Sequence, residues 1–457
     1  DEMARRLALR SLGVDCIDDG ADYKNRFRKL RRGELDLAVT TLDAYLRNYA
    51  SDGPIGPIVA VINESKGGDA IIARSDKVDS LEALKSGQKL SIAYTPESPS
   101  EFLMTAIGQH FGVPFDDRSR FTRIKTDGSG KALKALRKGQ ADIAVLWEPD
   151  VSTALSKDGF IQLMGSQDIE GLIVDVLVAS PKIATKRRDE LETLLNAYFT
   201  TQRFYSDHPE RRNSDIASRF GLKKKAAATM VAGVKWADLL DNSLLWFSSD
   251  NTSFAARGEQ RLLSSLYSTQ SILARAGIVD KASLPASEVL RMISSAPIRS
   301  LMNSSSNAAG NNVPTNSSTA AFAELNDADW ANLREVGALQ VEPVAFQSGT
   351  ALLTTDGRAE LDKVAETLRY YPKFRVVVQG HTSTGGDSQA NMSLSLARAE
   401  SVRDYLRQAH SVHKNRLRAE GYGDRQPLPR LADESLRAYR YRLPRVEIRF
   451  LDNQSVR

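Results

Sequence analysis

Cysteine is almost absent. Cys16 is the only one in 457 residues, so no intramolecular disulfide can form. A disulfide-stapled scaffold and a cysteine-rich zinc module are both excluded. Histidine is sparse too, at five residues: His110, His208, His381, His410 and His413. His410 and His413 stand at i, i+3 with no third ligand near them in sequence, which fits surface positions better than zinc. The sequence places none of the five beside a credible Ser or Cys nucleophile, so no hydrolytic constellation is visible and no catalytic residue is assigned. The expectation is a non-enzymatic chain without metal or cofactor. No apolar run approaches the ~18–20 residues of a membrane span. Charge of one sign is also missing: 62 Lys+Arg against 57 Asp+Glu leave only +5. So dilute a bias gives no basis for a nucleic-acid partner, which needs a concentrated basic patch.

What remains is the make-up of a folded protein. Hydrophobic residues at 41% and charged residues at 26% rule out a wholly disordered chain. The length suggests about three compact units. Residues Asp1–Gly13 read as the end of an amphipathic helix, followed by a short strand at Val14–Ile17. A helix feeding a strand is a βαβ fragment without its first strand. The expectation is therefore an N-terminal truncation, with any targeting signal or membrane anchor in the missing stretch.

Strand-like and helix-like segments then alternate to about residue 180. Strands are expected at Leu35–Val39, Ile55–Asn63, Asp69–Ala73, Lys89–Ala93, Arg120–Lys125, Ile143–Leu146 and Leu172–Ala179, with helices at Ser98–Phe111 and Lys131–Lys138. That rhythm implies an α/β fold with mostly parallel sheets. From 187 to about 300 the pattern is helical, including a segment at Thr252–Ala276. Asn303–Thr319 is uncharged and rich in Asn, Ser, Ala and Gly, the composition of a flexible linker. Beyond it, strands at Leu339–Phe346, Arg375–Gln379, Arg416–Glu420 and Val446–Phe450 interleave with helices at Asp356–Tyr370 and Ser393–Ala409, a βαβαβ-type domain.

Asp127–Lys131 (DGSGK) resembles the end of a phosphate loop. Ala132 stands where the magnesium-binding hydroxyl should be and Lys125 where the first glycine should be, so a turn entering a helix is the better reading. Three other turns follow the carboxyl ends of strands, where open α/β sheets bind ligands. They carry Thr40 and Thr41; Thr95, Ser98 and Ser100; and Trp147 and Glu148. The first two offer hydroxyls and free N–H groups at helix starts, suited to an anionic group. Thr41, Ser98 and Ser100 equally suit plain N-caps.

Residues 1–300 resemble the type 2 periplasmic solute-binding proteins of the nitrate/sulfonate/taurine group. The stretches that carry the resemblance are GELDLAVTTLDAYL (33–46), GGDAIIARSDKVDSLEALKSGQKLSIAY (67–94), SEFLMTAIGQHFGV (100–113), GQADIAVLWEPDVSTAL (139–155) and VDVLVASPKIATKRRDELETLLNAYF (174–199). The resemblance implies a two-lobed module, lobe I from 1–73 and 175–300 and lobe II from 74–174. Hinge strands Asp69–Ala73 and Val174–Ala179 would join the lobes. A small anionic solute would be held by Thr40, Thr41, Thr95, Ser98, Ser100, Trp147 and Glu148. The family's first strand falls before residue 1.

Residues 338–451 resemble the OmpA-like peptidoglycan-binding domains. The signature is Gly380-His381-Thr382, Asn391, Leu394-Ser395 and Arg398-Ala399, with Gly421-Tyr422-Gly423 downstream. The resemblance implies that an Asp directly after Gly-His-Thr and an Arg fifteen residues later clamp diaminopimelate in the peptide stem. Carboxylate takes the amine and guanidinium takes the carboxylate. Arg398 holds the Arg position, but Ser383 replaces the Asp, and Asp387 lies four residues on. The closing Asn-Arg-Arg run has become Leu443-Pro444-Arg445. The site expected here is Ser383, Asp387, Asn391, Leu394 and Arg398. The organisation implied is a solute-binding-like module at 1–300, a flexible linker at 301–325, and the OmpA-like α/β sandwich at 326–457. The whole would be a periplasmic, cell-wall-associated envelope protein. The alternative is an ABC-transporter receptor retained at the wall, with an ABC permease as partner.

Overall fold

A computed structural model describes residues 2–8, 12–17, 19, 22–247, 261–280, 286–306 and 322–452. The fold is α/β throughout, and the chain divides into two compact units.

The first unit holds residues 1–77, 90–106 and 121–314. It contains two sheets. One is built from β1 (Leu37–Thr41), β2 (Ile58–Ser65), β8 (Val174–Ala179) and β9 (Val234–Trp236), in the order β1-β8-β2-β9. The other is built from β3 (Asp69–Arg74), β4 (Leu90–Tyr94), β5 (Phe121–Lys125), β6 (Ile143–Trp147) and β7 (Phe160–Gly165), in the order β5-β4-β6-β3-β7. The chain passes between the sheets twice, from β2 to β3 and from β7 to β8. Strands β2 and β3 are almost wholly buried, and apolar over Ile58–Ile62 and Ala70–Ala73, as strands covered on each side by other elements must be.

The expectation of mostly parallel sheets fails. Among the described residues β8 runs antiparallel to β1 and β2, and β3 antiparallel to β6 and β7. Within this unit only β4 pairs in parallel, with β5 and β6. A strand that enters from the other sheet arrives from the opposite end to one that has crossed over a helix. The strand expected at Val14–Ile17 does not form either. That stretch has no paired neighbour among the described residues, and Ile17 is 65% exposed. The loop at Asp127–Lys131 leads into the helix Ser129–Arg137, as a turn should. Of the helix expected at Thr252–Ala276, Arg261–Arg275 is present, and 252–260 lie outside the described residues.

Residues 303–306 of the expected linker complete the helix Ala296–Ser306, and 307–321 lie outside the described residues. The stretch 322–325 is tied down in part: Asn415 Nδ2 donates to Phe322 O and Arg375 Nη2 to Ala323 O.

The second unit holds 78–89, 107–120 and 315–457. Its sheet has the order β10 (Arg334–Ala338), β13 (Arg445–Asp452), β11 (Arg375–His381), β12 (Leu417–Gly423). The strand expected at Leu339–Phe346 is displaced upstream to β10. Pro343 has no N–H for a ladder, and only Phe346 makes a bridge there, to Leu353. The helices Thr355–Tyr370 and Ser388–His410 pack on the sheet face formed by Val376, Val378, Ile448 and Phe450. The second helix lies very close. A Cβ on Gly380 would stand 2.1 Å from Ser395 O, and one on Gly421 2.6 Å from Leu396 N. Those glycines therefore serve contact between helix and sheet. Ser395 Oγ completes the contact by accepting from Gly423 N at 2.9 Å. Arg416, only 8% exposed, donates to Phe374 O, Leu368 O and Tyr371 O and so closes the end of the helix Thr355–Tyr370. Phe111, from the 107–120 segment, meets Tyr371 edge-to-face and Phe450 at a tilt, at 5.4 and 5.8 Å between centroids.

Candidate functional site

Two constellations emerge, one in each unit. In the second, the helix Ser388–His410 presents Arg398. Its Nε donates to Thr350 O at 3.0 Å, and its guanidinium lies 5.1 Å from the centroid of Phe346. The side chain is half-buried, and its two terminal nitrogens have no hydrogen-bond partner among the described residues. Desolvation lowers its pKa, but an arginine stays charged. The result is a fixed cation with a free fork, suited to a carboxylate.

The other residues expected here lie in the loop and first turns leading to Arg398. Ser383 is half-buried and Asp387 exposed. Asp387 caps the helix, accepting from Ala390 N at 2.7 Å. Asn391 Nδ2 donates to Gly385 O at 2.9 Å, which holds the loop. Leu394 is half-buried on the same helix. His381 is 1% exposed and stacks on Tyr422 at 5.5 Å. Burial and the neighbouring Arg445 push its pKa down to about 4, so the ring is neutral near pH 7. Phe346 and Thr350, which fix Arg398, were not anticipated from the sequence. A separate recess of about 220 Å³ is lined by Trp330, Glu335, Gln379, Arg418 and Arg449, and includes none of the expected residues. Its charges are matched internally, as by Arg418 with Asp327 at 3.1 Å.

In the first unit, Thr40 and Thr41 end β1, and both are buried. Thr41 occupies the N-cap of the helix Leu42–Asp52 without making the side-chain cap bond. Ser98 and Ser100 are turned into the protein. Ser98 Oγ donates to Thr95 O at 2.7 Å and accepts from Ser100 N at 3.2 Å, while Ser100 Oγ donates to Val145 O at 3.3 Å. Their hydroxyls are committed to backbone. The Thr95 hydroxyl is buried and unpaired. Glu148 accepts from Ser152 Oγ and N at 2.5 and 3.2 Å. Trp147 is half-buried and lies across the ladder from Asp69.

The structure adds carboxylates to these turns. Asp175, the second residue of β8, lies opposite Thr41 on one side and Asn63 on the other. Asp69 opens β3 and accepts from Ser65 Oγ at 2.6 Å. Asp43 lies 1% exposed in the first turn after Thr41. Burial raises Asp69 to about 7, reinforced by Asp175, Asp43 and Glu148. Burial likewise raises Asp175 to about 6, with Asp43 adding to it. Asp43 is raised by burial against the opposing pull of Arg47. Tyr23 and Tyr198 are pushed up by burial and by these same carboxylates. The sequence did carry one signal for this cluster: Asp69 and Asp175 are acids at the mouths of otherwise apolar strands. Among the described residues no group of three or more His, Cys, Asp or Glu could hold a metal ion.

Two family descriptions match the sequence: NMT1/THI5 like over residues 11–212 and OmpA family over 345–440. The chain thus carries an NMT1/THI5-like region at 11–212 and an OmpA-family region at 345–440. The OmpA domain is similar to the peptidoglycan-associated lipoprotein of Rhizobium meliloti, 32% identical over 85 residues, which are 19% of this chain and 48% of that protein. It is also similar to outer membrane protein Omp38 of Acinetobacter baumannii, 35% identical over 85 residues, 19% of this chain and 24% of that protein. The chain thus spans half or less of these relatives' length. Among solved structures, the aliphatic sulphonate binding protein SsuA of Escherichia coli covers 64% of this chain and is itself covered to 92%, at 16% identity and a TM-score of 0.47. All the residues of the OmpA-domain site, from Phe346 to Arg398, lie inside the 345–440 match.

Proposed function

We propose that this is a non-enzymatic protein of the cell envelope. Its OmpA domain grips the diaminopimelate-containing stem of peptidoglycan, and its NMT1/THI5-like domain receives a small solute. The observation that carries the wall-binding half is Arg398, held by Thr350 and Phe346 with its terminal nitrogens free. A guanidinium so fixed loses little side-chain freedom when it takes a carboxylate. Ser383 offers the amine of the stem a hydroxyl where the family pattern has a carboxylate. The grip therefore rests on one charged contact instead of two. Peptidoglycan lies in the periplasm, which is where such a protein would work. No helix among the described residues is long and apolar enough to cross a membrane.

Co-sedimentation of the full chain with purified sacculi tests the proposal. Retention that free diaminopimelate competes away is the expected result. Retention indifferent to diaminopimelate would point to another wall component. A receptor that hands its solute to an ABC permease would use the same two sites, and is distinguished by solute-dependent stimulation of a permease in vesicles.

The solute half rests on the acids and hydroxyls of the two sheets. The hydroxyls of Ser98 and Ser100 are spent on backbone, while Arg47 stands beside Asp43 and Glu101.

A further inference from the structure

We propose that the helical corner at 219–225 is a docking surface for the anionic face of a lipid bilayer. The corner lies beyond the NMT1/THI5-like match, which ends at residue 212, and it belongs to neither constellation described above.

Two helices make the corner. Pro209–Phe220 ends on Gly221, whose φ of 64° is the left-handed conformation that closes many helices. Leu222 then leads into the helix Lys224–Ala232, with Lys223 at its N-cap. So short a connection leaves the side chains around it at the surface. Arg219, Phe220, Lys223, Lys224 and Lys225 are all exposed.

The charge here is of one sign. No Asp or Glu occurs from 216 to 237. Arg219 and the three lysines make no side-chain hydrogen bond or ion pair among the described residues. Asp215, the acid just before them in sequence, is engaged by Tyr205 and Arg211. Four cations therefore stand without counter-charge in a chain whose net charge is only +5.

The lysines do not serve the helix they open. The first turn of a helix favours acids, because the positive end of its dipole lies there. Lys224–Ala232 has no acid in that turn, and cations occupy its N-cap and first two positions. Lys223 makes no side-chain capping bond either. An arrangement that costs local stability is accounted for by a partner outside the fold. A negative surface would relieve the repulsion among these cations and would meet the helix dipole favourably as well.

Phe220 selects a bilayer from among polyanions. It is 63% exposed, a phenyl ring held in water among cations. Such a ring can enter the boundary below the headgroups while the lysine stems carry their ammonium groups to the phosphates. Ammonium groups on flexible stems suit a sheet of headgroups without fixed positions. A single phosphate held in one place is better matched by the rigid fork of arginine.

Co-sedimentation of the full chain with vesicles of phosphatidylcholine, and of phosphatidylcholine with roughly a third phosphatidylglycerol, tests the proposal. Retention by the mixed vesicles alone is expected, and high salt should abolish it. The triple variant Lys223→Gln, Lys224→Gln, Lys225→Gln should bind them about thirtyfold more weakly or worse, at about fivefold for each cation removed. Phe220→Ser should bind about tenfold more weakly. Both variants should melt no lower than wild type. A triple variant that melts well below wild type would assign the lysines to the fold and overturn the proposal. Equal retention by neutral vesicles, retention by neither kind, or retention that both sets of substitutions leave intact would also overturn it. Binding to polyglutamate without retention by vesicles would replace the bilayer with an acidic protein surface.

Discussion

The guanidinium of Arg398 rests on the ring of Phe346, 5.1 Å from its centroid, while Thr350 O holds its Nε. This pairing turns a long, flexible side chain into a fixed one. Phe346→Ala is expected to free the guanidinium and weaken stem-peptide binding about two- to thirtyfold, the range of a cation–π contact worth about 0.5–2 kcal/mol. Phe346→Tyr keeps the ring and should keep the affinity. Titration of both variants with the same peptide separates positioning from loss of fold.

Asp69 makes stability depend on pH in an unusual direction. Its folded pKa lies near 7, against an ordinary value of 3.8. Between those values the folded chain holds a proton that the unfolded chain has released. Its contribution therefore turns against folding as pH rises from about 4 to 7, by an amount on the order of 2–4 kcal/mol. Asp69→Asn is expected to stabilise the NMT1/THI5-like domain at pH 8 and to change little at pH 4. Urea unfolding at the two pH values checks it. Equal effects at both would show that Asp69 ionises normally.

His381 works in the other direction. Its folded pKa is pushed down to about 4 from an ordinary 6.5. Below pH 6.5 the unfolded chain takes up a proton that the folded domain refuses, so stability is lost as pH falls through that window. His381→Phe retains a ring to stack on Tyr422 and removes the titration. The OmpA domain of this variant should lose less stability than wild type between pH 7 and 4.5.

Much of this was legible in the chain. The Gly-His-Thr and Gly-Tyr-Gly runs marked the OmpA domain because close packing leaves room only for glycine at Gly380 and Gly421. In the first unit β1 to β6 and β8 were readable to within a few residues, whereas Val14–Ile17 forms no strand and β7 and β9 were not anticipated. Strand direction was not, because composition does not record from which end a chain enters a sheet. The acidic cluster was hidden for a related reason. Asp43 and Asp175 are far apart in sequence and come near through the antiparallel β1–β8 ladder, while Asp69 follows the crossing from β2 to β3. Nor could spacing show that Ser98 and Ser100 turn inward to Thr95 O and Val145 O.

Gly380→Ala tests the packing account. A Cβ at 2.1 Å from Ser395 O forces the helix Ser388–His410 off the sheet. Overpacking of this kind costs about 1–3 kcal/mol or more, and the OmpA domain should melt correspondingly earlier. Because that helix carries Arg398, peptide affinity should fall as well.

The central claim is that Arg398 grips the stem peptide. Titration of the full chain with a diaminopimelate-containing stem peptide tests it most directly, using wild type, Arg398→Ala and Ser383→Asp. Arg398→Ala should abolish measurable binding. Ser383→Asp should tighten it by up to about tenfold, equivalent to roughly 1.4 kcal/mol, by restoring an ion pair to the amine. Wild-type affinity in Arg398→Ala would contradict the account.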